Sequence, residues 1–130
     1  MTESFDSPDF DLPPDDVMAI SLPPHSVEAE QSVLGGLLLE NSAYDRIADI
    51  LTEEDFYRQE HRYVFRAIAR LIELSRPADV VTVQEQLQQQ DELAAVGGLP
   101  YLISLAQNTP SAANIRRYAE IVRERSVRRQ

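Results

Sequence analysis

Apolar positions at three- and four-residue spacing divide this chain into helices. Val33, Leu34, Leu37 and Leu38 share one face of a helix predicted from about Val27 to Leu39. Pro23-Pro24 cannot continue that helix backwards, so Ser26 is its candidate cap, with Glu28 and Glu30 in the positively polarised first turn. Gly35-Gly36 inside it costs about 1 kcal/mol per glycine relative to alanine, which predicts that another helix passes close at that point.

Ser42-Ala43-Tyr44-Asp45 reads as a capping-box variant opening a second helix with Ile47, Ile50 and Leu51 buried, and Thr52-Glu53-Glu54-Asp55 repeats the device for a short turn. The longest regular segment runs from about Glu60 to Ser75, with Val64, Ile68, Leu71 and Ile72 as its core stripe, and stops before Pro77. Asp79-Val80-Val81 reads as extended; Thr82-Val83-Gln84-Glu85 then opens a helix to about Gln90. Gly97-Gly98 is the strongest internal boundary. Beyond it, Leu99 to Ala106 and Ala112 to Arg129 read as two helices joined by Asn108-Thr109-Pro110-Ser111, the loop length of antiparallel neighbours. Leu102, Leu105, Ile115, Tyr118, Ile121 and Val122 form its apolar seam. A lone pair of helices has too little core to stand alone, so the pair docks on the helices before it or on another chain.

Composition narrows the class. A chain of 130 residues supports one modest core, and without cysteine there are no disulfides or thiolate metal sites, so the cytoplasm is the expected compartment. No run approaches the roughly 18 apolar residues of a membrane span. The net charge of −10 is unevenly spread: residues 1–24 carry six acids and no base, residues 115–130 six arginines and two glutamates. The first 24 residues mix acids, Ser and Pro, a composition expected to stay disordered. An acidic body with a basic carboxyl end suits a protein partner better than nucleic acid.

The residues offer little catalytic chemistry. His25 and His61 lie far apart and in no metal-ligand spacing, and no phosphate loop exists, since all twelve basic residues are arginine and the chain has no lysine. Glu53, Glu54 and Asp55 lack a positioned partner group and are read as first-turn acids suited to the helix dipole. Arg58, Arg62, Arg66 and Arg70 recur every four residues on one helix face. They form either a basic stripe for single-stranded nucleic acid, the alternative function, or a row neutralised by acids such as Glu54, Asp55 and Glu73. The second reading is preferred because few aromatics interleave them. On the last helix, Glu120 to Arg123 and Glu124 to Arg128 are the expected pairs. That helix reaches Gln130 without a capping Gly or Pro, as expected of a longer parent.

Pro23-Pro24-His25-Ser26-Val27-Glu28-Ala29-Glu30-Gln31-Ser32-Val33-Leu34-Gly35-Gly36 closely resembles the opening of the amino-terminal domain of DnaB-type replicative helicases. Three further blocks match in order: Asp55-Phe56-Tyr57 with His61; Val96-Gly97-Gly98 with Tyr101-Leu102; and Asn108 to Asn114 continuing through Tyr118 to Arg125. The resemblance spans about residues 23–130. It implies an all-α fold, a small orthogonal helical head over 25–96 followed by a helical hairpin over 97–130 leading into the linker to an absent motor domain, with 1–24 as the acidic arm.

The resemblance also implies a role in assembly. Hairpins pair, dimers gather in threes into a collar above a hexameric motor ring, and the collar receives the DnaG-type primase and, in some bacteria, a helicase loader. On the motif match, Glu28 and Tyr101 are the candidate primase contacts. Leu102, Leu105, Ile115, Tyr118, Ile121 and Val122 are the candidates for self-association. This fragment itself is expected to bind no cofactor, to lack enzymatic activity, and to bind nucleic acid weakly; ATP and Mg belong to the missing motor of an ATP-dependent helicase.

Overall fold

Ser26 opens the first helix as expected: its Oγ accepts the Ala29 N–H at 3.2 Å, and α1 runs Val27–Leu39. The computed structural model describes residues 22–130, so the expectations placed on residues 1–21 lie outside the described residues. Most of α1 is buried, from Ala29 and Glu30 through Val33 to Leu38. An element enclosed on so many sides needs neighbours on several faces, and the rest of the fold supplies them.

After α1 the chain makes a 3-10 turn at Asn41–Ala43, a short α2 at Tyr44–Ile47, and a second 3-10 turn at Glu53–Asp55. No side chain caps the first turn, contrary to the capping box expected at Ser42. Asn41 acts instead: its Nδ2 donates to the Leu37 and Ala78 carbonyls, both at 2.8 Å, and its Oδ1 accepts from Ala78 N–H at 2.9 Å. One amide thereby ties the end of α1 to the segment ahead of a later helix. At the second turn the expected box forms, Asp55 Oδ2 accepting the Thr52 N–H at 2.9 Å.

Helix α3, Gln59–Glu73, buries Val64, Phe65, Ile68 and Leu71 with His61. Helix α4, Val80–Gln89, begins three residues before the box expected at Thr82 would start it, because Asp79 is the cap and Thr82 its reciprocal partner: Asp79 Oδ1 accepts the Thr82 N–H and Thr82 Oγ1 the Asp79 N–H. Asp79-Val80-Val81 is therefore the helix entry and not an extended stretch. A short α5, Leu93–Val96, ends at Gly97 in the left-handed conformation (φ 109°), the geometry that glycine adopts without a Cβ clash. Helix α6, Gly98–Gln107, and α7, Ile115–Arg129, complete an all-helical architecture; among the described residues there is no strand and no helix long and apolar enough to cross a membrane.

The last two helices run in opposite directions, as a hairpin would. Helix α6 runs alongside α1 in the same sense, Gln31 meeting Tyr101 and Gly35 meeting Leu105 and Thr109. Helix α7 returns, Ile115 lying at Gly36 and Arg129 at the Pro24 carbonyl. Both rest mainly on α1, and their apolar residues join one continuous core with those of the head. The pair expected over 97–130 thus docks on the helices before it.

The two glycines make this possible. A Cβ on Gly35 would overlap the Thr109 side chain and the Leu105 carbonyl oxygen, and one on Gly36 would sit 3.1 Å from Ile115 Cδ1. Replacing Gly35 with alanine gains helix propensity of about 1 kcal/mol but forces α6 away from α1. We expect Gly35→Ala to destabilise the domain by about 1–3 kcal/mol net in urea denaturation; unchanged or raised stability would show that the crossing yields without cost.

Candidate functional site

Glu30 closes the first turn of α1 with only 1% of its surface exposed. A desolvated carboxylate is tolerable only when donors surround it. Here Tyr57 N–H reaches Oε2 at 2.7 Å, Arg58 N–H reaches Oε1 at 3.4 Å, and His61 Nδ1 lies 2.7 Å from Oε1. His61 is fully buried, and its Nε2 lies 2.6 Å from the Tyr101 hydroxyl, which also accepts from Gln31 Nε2 at 3.1 Å. The rings of His61 and Tyr101 stack with centroids 5.9 Å apart. This chain of side chains joins α1, α3 and α6 across the interior.

The sequence reading missed it. Local pattern marks Glu30 as a first-turn dipole acid and says of His61 only that it stands in no metal-ligand spacing. With both ring nitrogens engaged by Glu30 and Tyr101, His61 has none left for a metal. The signal that could have exposed the network was Glu30 falling on the same helical face as Val33, Leu34 and Leu37.

Asp55 is the second buried carboxylate. Its Oδ1 accepts from Arg123 and from Ser126, both at 2.8 Å, while Arg129 donates to its backbone carbonyl at 2.7 Å. Arg129 also donates to Pro24 O at 2.8 Å and lies 5.3 Å from the centroid of the Tyr57 ring, on which His25 stacks. Burial alone would raise the Asp55 carboxyl, but hydrogen bonds from Thr52, Ser126 and Arg123, with the arginine's charge, together hold it below the ordinary carboxylate value. The pairs expected within the last helix are replaced accordingly: Arg123 reaches Asp55, while Glu120 and Glu124 meet Arg116 and Arg117.

The arginine row of α3 meets different acids from those anticipated. Arg58 pairs with Glu60, Arg66 with Glu53 and Glu92, and Arg62 Nε donates to the Phe56 carbonyl at 2.7 Å. Glu73 instead accepts from the Tyr44 hydroxyl, whose pKa is raised by burial and by that glutamate. Among the described residues only Arg70 of the four makes no such contact.

The named site residues divide sharply. Glu28 is exposed on the first turn of α1, at the rim of a groove of about 380 Å³ between α1, α6 and α7 that Gln31, Ser104, Thr109 and Tyr118 also line. Tyr101 is half-buried, with its hydroxyl turned to His61. Of the six residues assigned to self-association, Leu102, Leu105, Ile115 and Val122 are buried in this chain's own core and are corrected to core residues; Tyr118 and Ile121 are partly buried. The reason is α1, which fills the seam that periodicity left open.

Fold and site define an all-helical domain whose buried charged groups serve to join its helices. Residues 22–124 match the family described as DnaB-like helicase N terminal domain, and the chain belongs to that family. It is 43% identical over 111 residues to the replicative DNA helicase DnaB of Haemophilus influenzae, covering 85% of this chain and 24% of that protein. It is 44% identical over 109 residues to DnaB of Geobacillus stearothermophilus, covering 84% and 24%. The chain thus spans about a quarter of the length of these relatives. The crystal structure of the N-terminal domain of DnaB helicase from Mycobacterium tuberculosis superposes with a TM-score of 0.81 at 44% identity, covering 83% of this chain and 75% of that one.

The depressed Asp55 carboxyl makes stability pH-dependent. Its stabilisation is complete above the unfolded value of about 3.9 and is lost as pH falls through the lower folded value. Asp55→Asn should lower stability at pH 7 and flatten this acid limb, as read by urea denaturation at pH 7 and pH 3. An acid limb identical to that of the wild type would assign the pH dependence to other carboxylates.

Proposed function

We propose that this domain is a non-catalytic collar unit of a cytoplasmic replicative DNA helicase, which docks primase at the groove rim and associates with copies of itself. A helicase loader is a further visitor to the same region, and ATP with magnesium serves a motor that this chain does not contain. The observation that carries the docking reading is Glu28: it is exposed at the mouth of a polar groove, while Glu30 two residues on is committed within the fold. Tyr101 supports the site from behind, since its hydroxyl bonds to His61 and Gln31. Because four seam residues are core, self-association falls to outward apolar side chains of α6 and α7, Ile103 at 36% and Val127 at 47% exposure, together with the partly buried Tyr118 and Ile121.

Calorimetric titration with the helicase-binding domain of the same organism's primase should show saturable heat, and Glu28→Ala should weaken it tenfold or more, about 1.4 kcal/mol. No heat at concentrations up to about 100 μM, where about 5–6 kcal/mol of affinity would register, would sink the docking reading.

For self-association, Ile103→Asp combined with Val127→Asp should lower the mass measured by sedimentation while leaving the melting temperature within a few degrees. Leu105→Asp should instead lower the melting temperature, as a charge buried in the core does. Undiminished mass in the double variant would move the interface elsewhere.

A further inference from the structure

Residues 1–21 lie outside the described residues, but the place where they join the domain is fixed. The Pro24 carbonyl accepts from Arg129 at 2.8 Å, His25 stacks on Tyr57 with ring centroids 4.3 Å apart, and the Arg129 guanidinium lies 5.3 Å from the centroid of the same tyrosine. The root of residues 1–21 therefore stands beside the last turn of α7. That segment carries six acids, Glu3, Asp6, Asp9, Asp11, Asp15 and Asp16, and no base. Phe10, Leu12, Val17, Met18 and Ile20 interleave them.

The opposite charge is concentrated at the same end of the molecule. Residues 115–130 carry six arginines against two glutamates. Four of the arginines are committed within the fold: Arg116 and Arg117 pair with Glu120 and Glu124, Arg123 with Asp55, and Arg129 with two backbone carbonyls. Among the described residues, Arg125 and Arg128 meet no acid. With Ile121 they are spaced by four and three residues, so the three share one face of α7. Arg128 is exposed, and Arg125 and Ile121 are partly so. Two cations beside a half-covered isoleucine suit an acidic segment that also brings apolar side chains.

We infer that this face is the seat of the chain's own acidic segment, with Asp15 and Asp16 set against Arg125 and Arg128. The reach is ample. Asp15 stands nine residues before Pro24, a span of up to about 30 Å when extended, whereas Arg128 back to Ile121 covers about 10 Å of helix. A short tether holds the segment at a local concentration in the millimolar range, so ion pairs too weak to retain a free peptide are enough to seat it. Exposed charges interact only within about 8 Å at physiological salt, so the seat depends on this proximity and opens as salt rises. While seated, the segment neutralises the basic end of α7 and keeps other polyanions off it.

The chain has no cysteine, so Pro13→Cys gives a single attachment point for a nitroxide in the 15N-labelled full chain. Paramagnetic relaxation at the Ile121, Arg125 and Arg128 amides should exceed that at Gln59 and Glu60 at least threefold. Gln59 and Glu60 follow Tyr57, on which His25 stacks, and so control for mere nearness to the root. The excess should vanish in about 0.5 M sodium chloride, where charges interact only within about 4 Å. It should also vanish when Asp11→Asn, Asp15→Asn and Asp16→Asn are combined, changes that lie outside the described fold, and should fall at least twofold in Arg128→Gln. A mixture of spin-labelled 14N chain with unlabelled 15N chain should show no excess.

Equal relaxation at the two sets of amides overturns the inference, and so does an excess that survives both salt and the three Asn substitutions. An excess in the mixed sample gives the face to the acidic segment of a second copy and overturns it as well. Equal relaxation, joined by shifts of the Arg125 and Arg128 resonances on adding a short oligothymidylate, hands the face to nucleic acid instead.

Discussion

The burial of Glu30 is the constraint on which the rest of this domain depends. A carboxylate taken out of water on a largely apolar helix must be met by donors held in place, because leaving it unpaired would cost several kcal/mol. Meeting it fixes the backbone at Tyr57 and Arg58, where the chain turns into α3, and fixes the His61 ring one turn later. That ring in turn fixes Tyr101 on α6. A single polar requirement thus sets how three helices from distant parts of the sequence approach one another. Apolar contacts alone would allow the register between α1 and α6 to slide, since aliphatic side chains repack with little loss.

Asp55 does for α7 what Glu30 does for α6. Arg123 and Ser126 converge on its carboxylate, and Arg129 on its carbonyl, so the last helix is pinned to the 3-10 turn ahead of α3 along two helical turns. The division of labour is consistent. Leucines, isoleucines and valines supply the burial energy, and two acids with their donors specify which helix lies where.

The helices themselves were largely legible in the sequence. The bounds of α1, its serine cap and the close passage at Gly35-Gly36 all follow from local spacing, and so does the capping box at Thr52. What local pattern could not carry was partnership across long separations. Asn41 bonding to Ala78, Glu30 to His61, and Arg123 to Asp55 each join residues about 30 to 70 positions apart, and no periodicity encodes them. The same blindness left Leu102, Leu105, Ile115 and Val122 open to either the preceding helices or another chain: an apolar stripe announces that it is covered, not by which helix. Family motifs single out Glu28 and Tyr101, but only the geometry separates an exposed rim carboxylate from a hydroxyl that faces inward.

The clasp formed by Arg129 has a mechanical meaning. It holds the Pro24 carbonyl and the Asp55 carbonyl together, so the segment just ahead of α1 and the end of α7 meet at one pole. Tension applied between those two ends would load the clasp first and peel the domain open from that pole, one bond at a time, rather than shear the whole length of α1 against α7. The groove near Gln31 and Thr109 stands beyond this point of first yield, so the domain gives at that pole under strain while the groove keeps its shape.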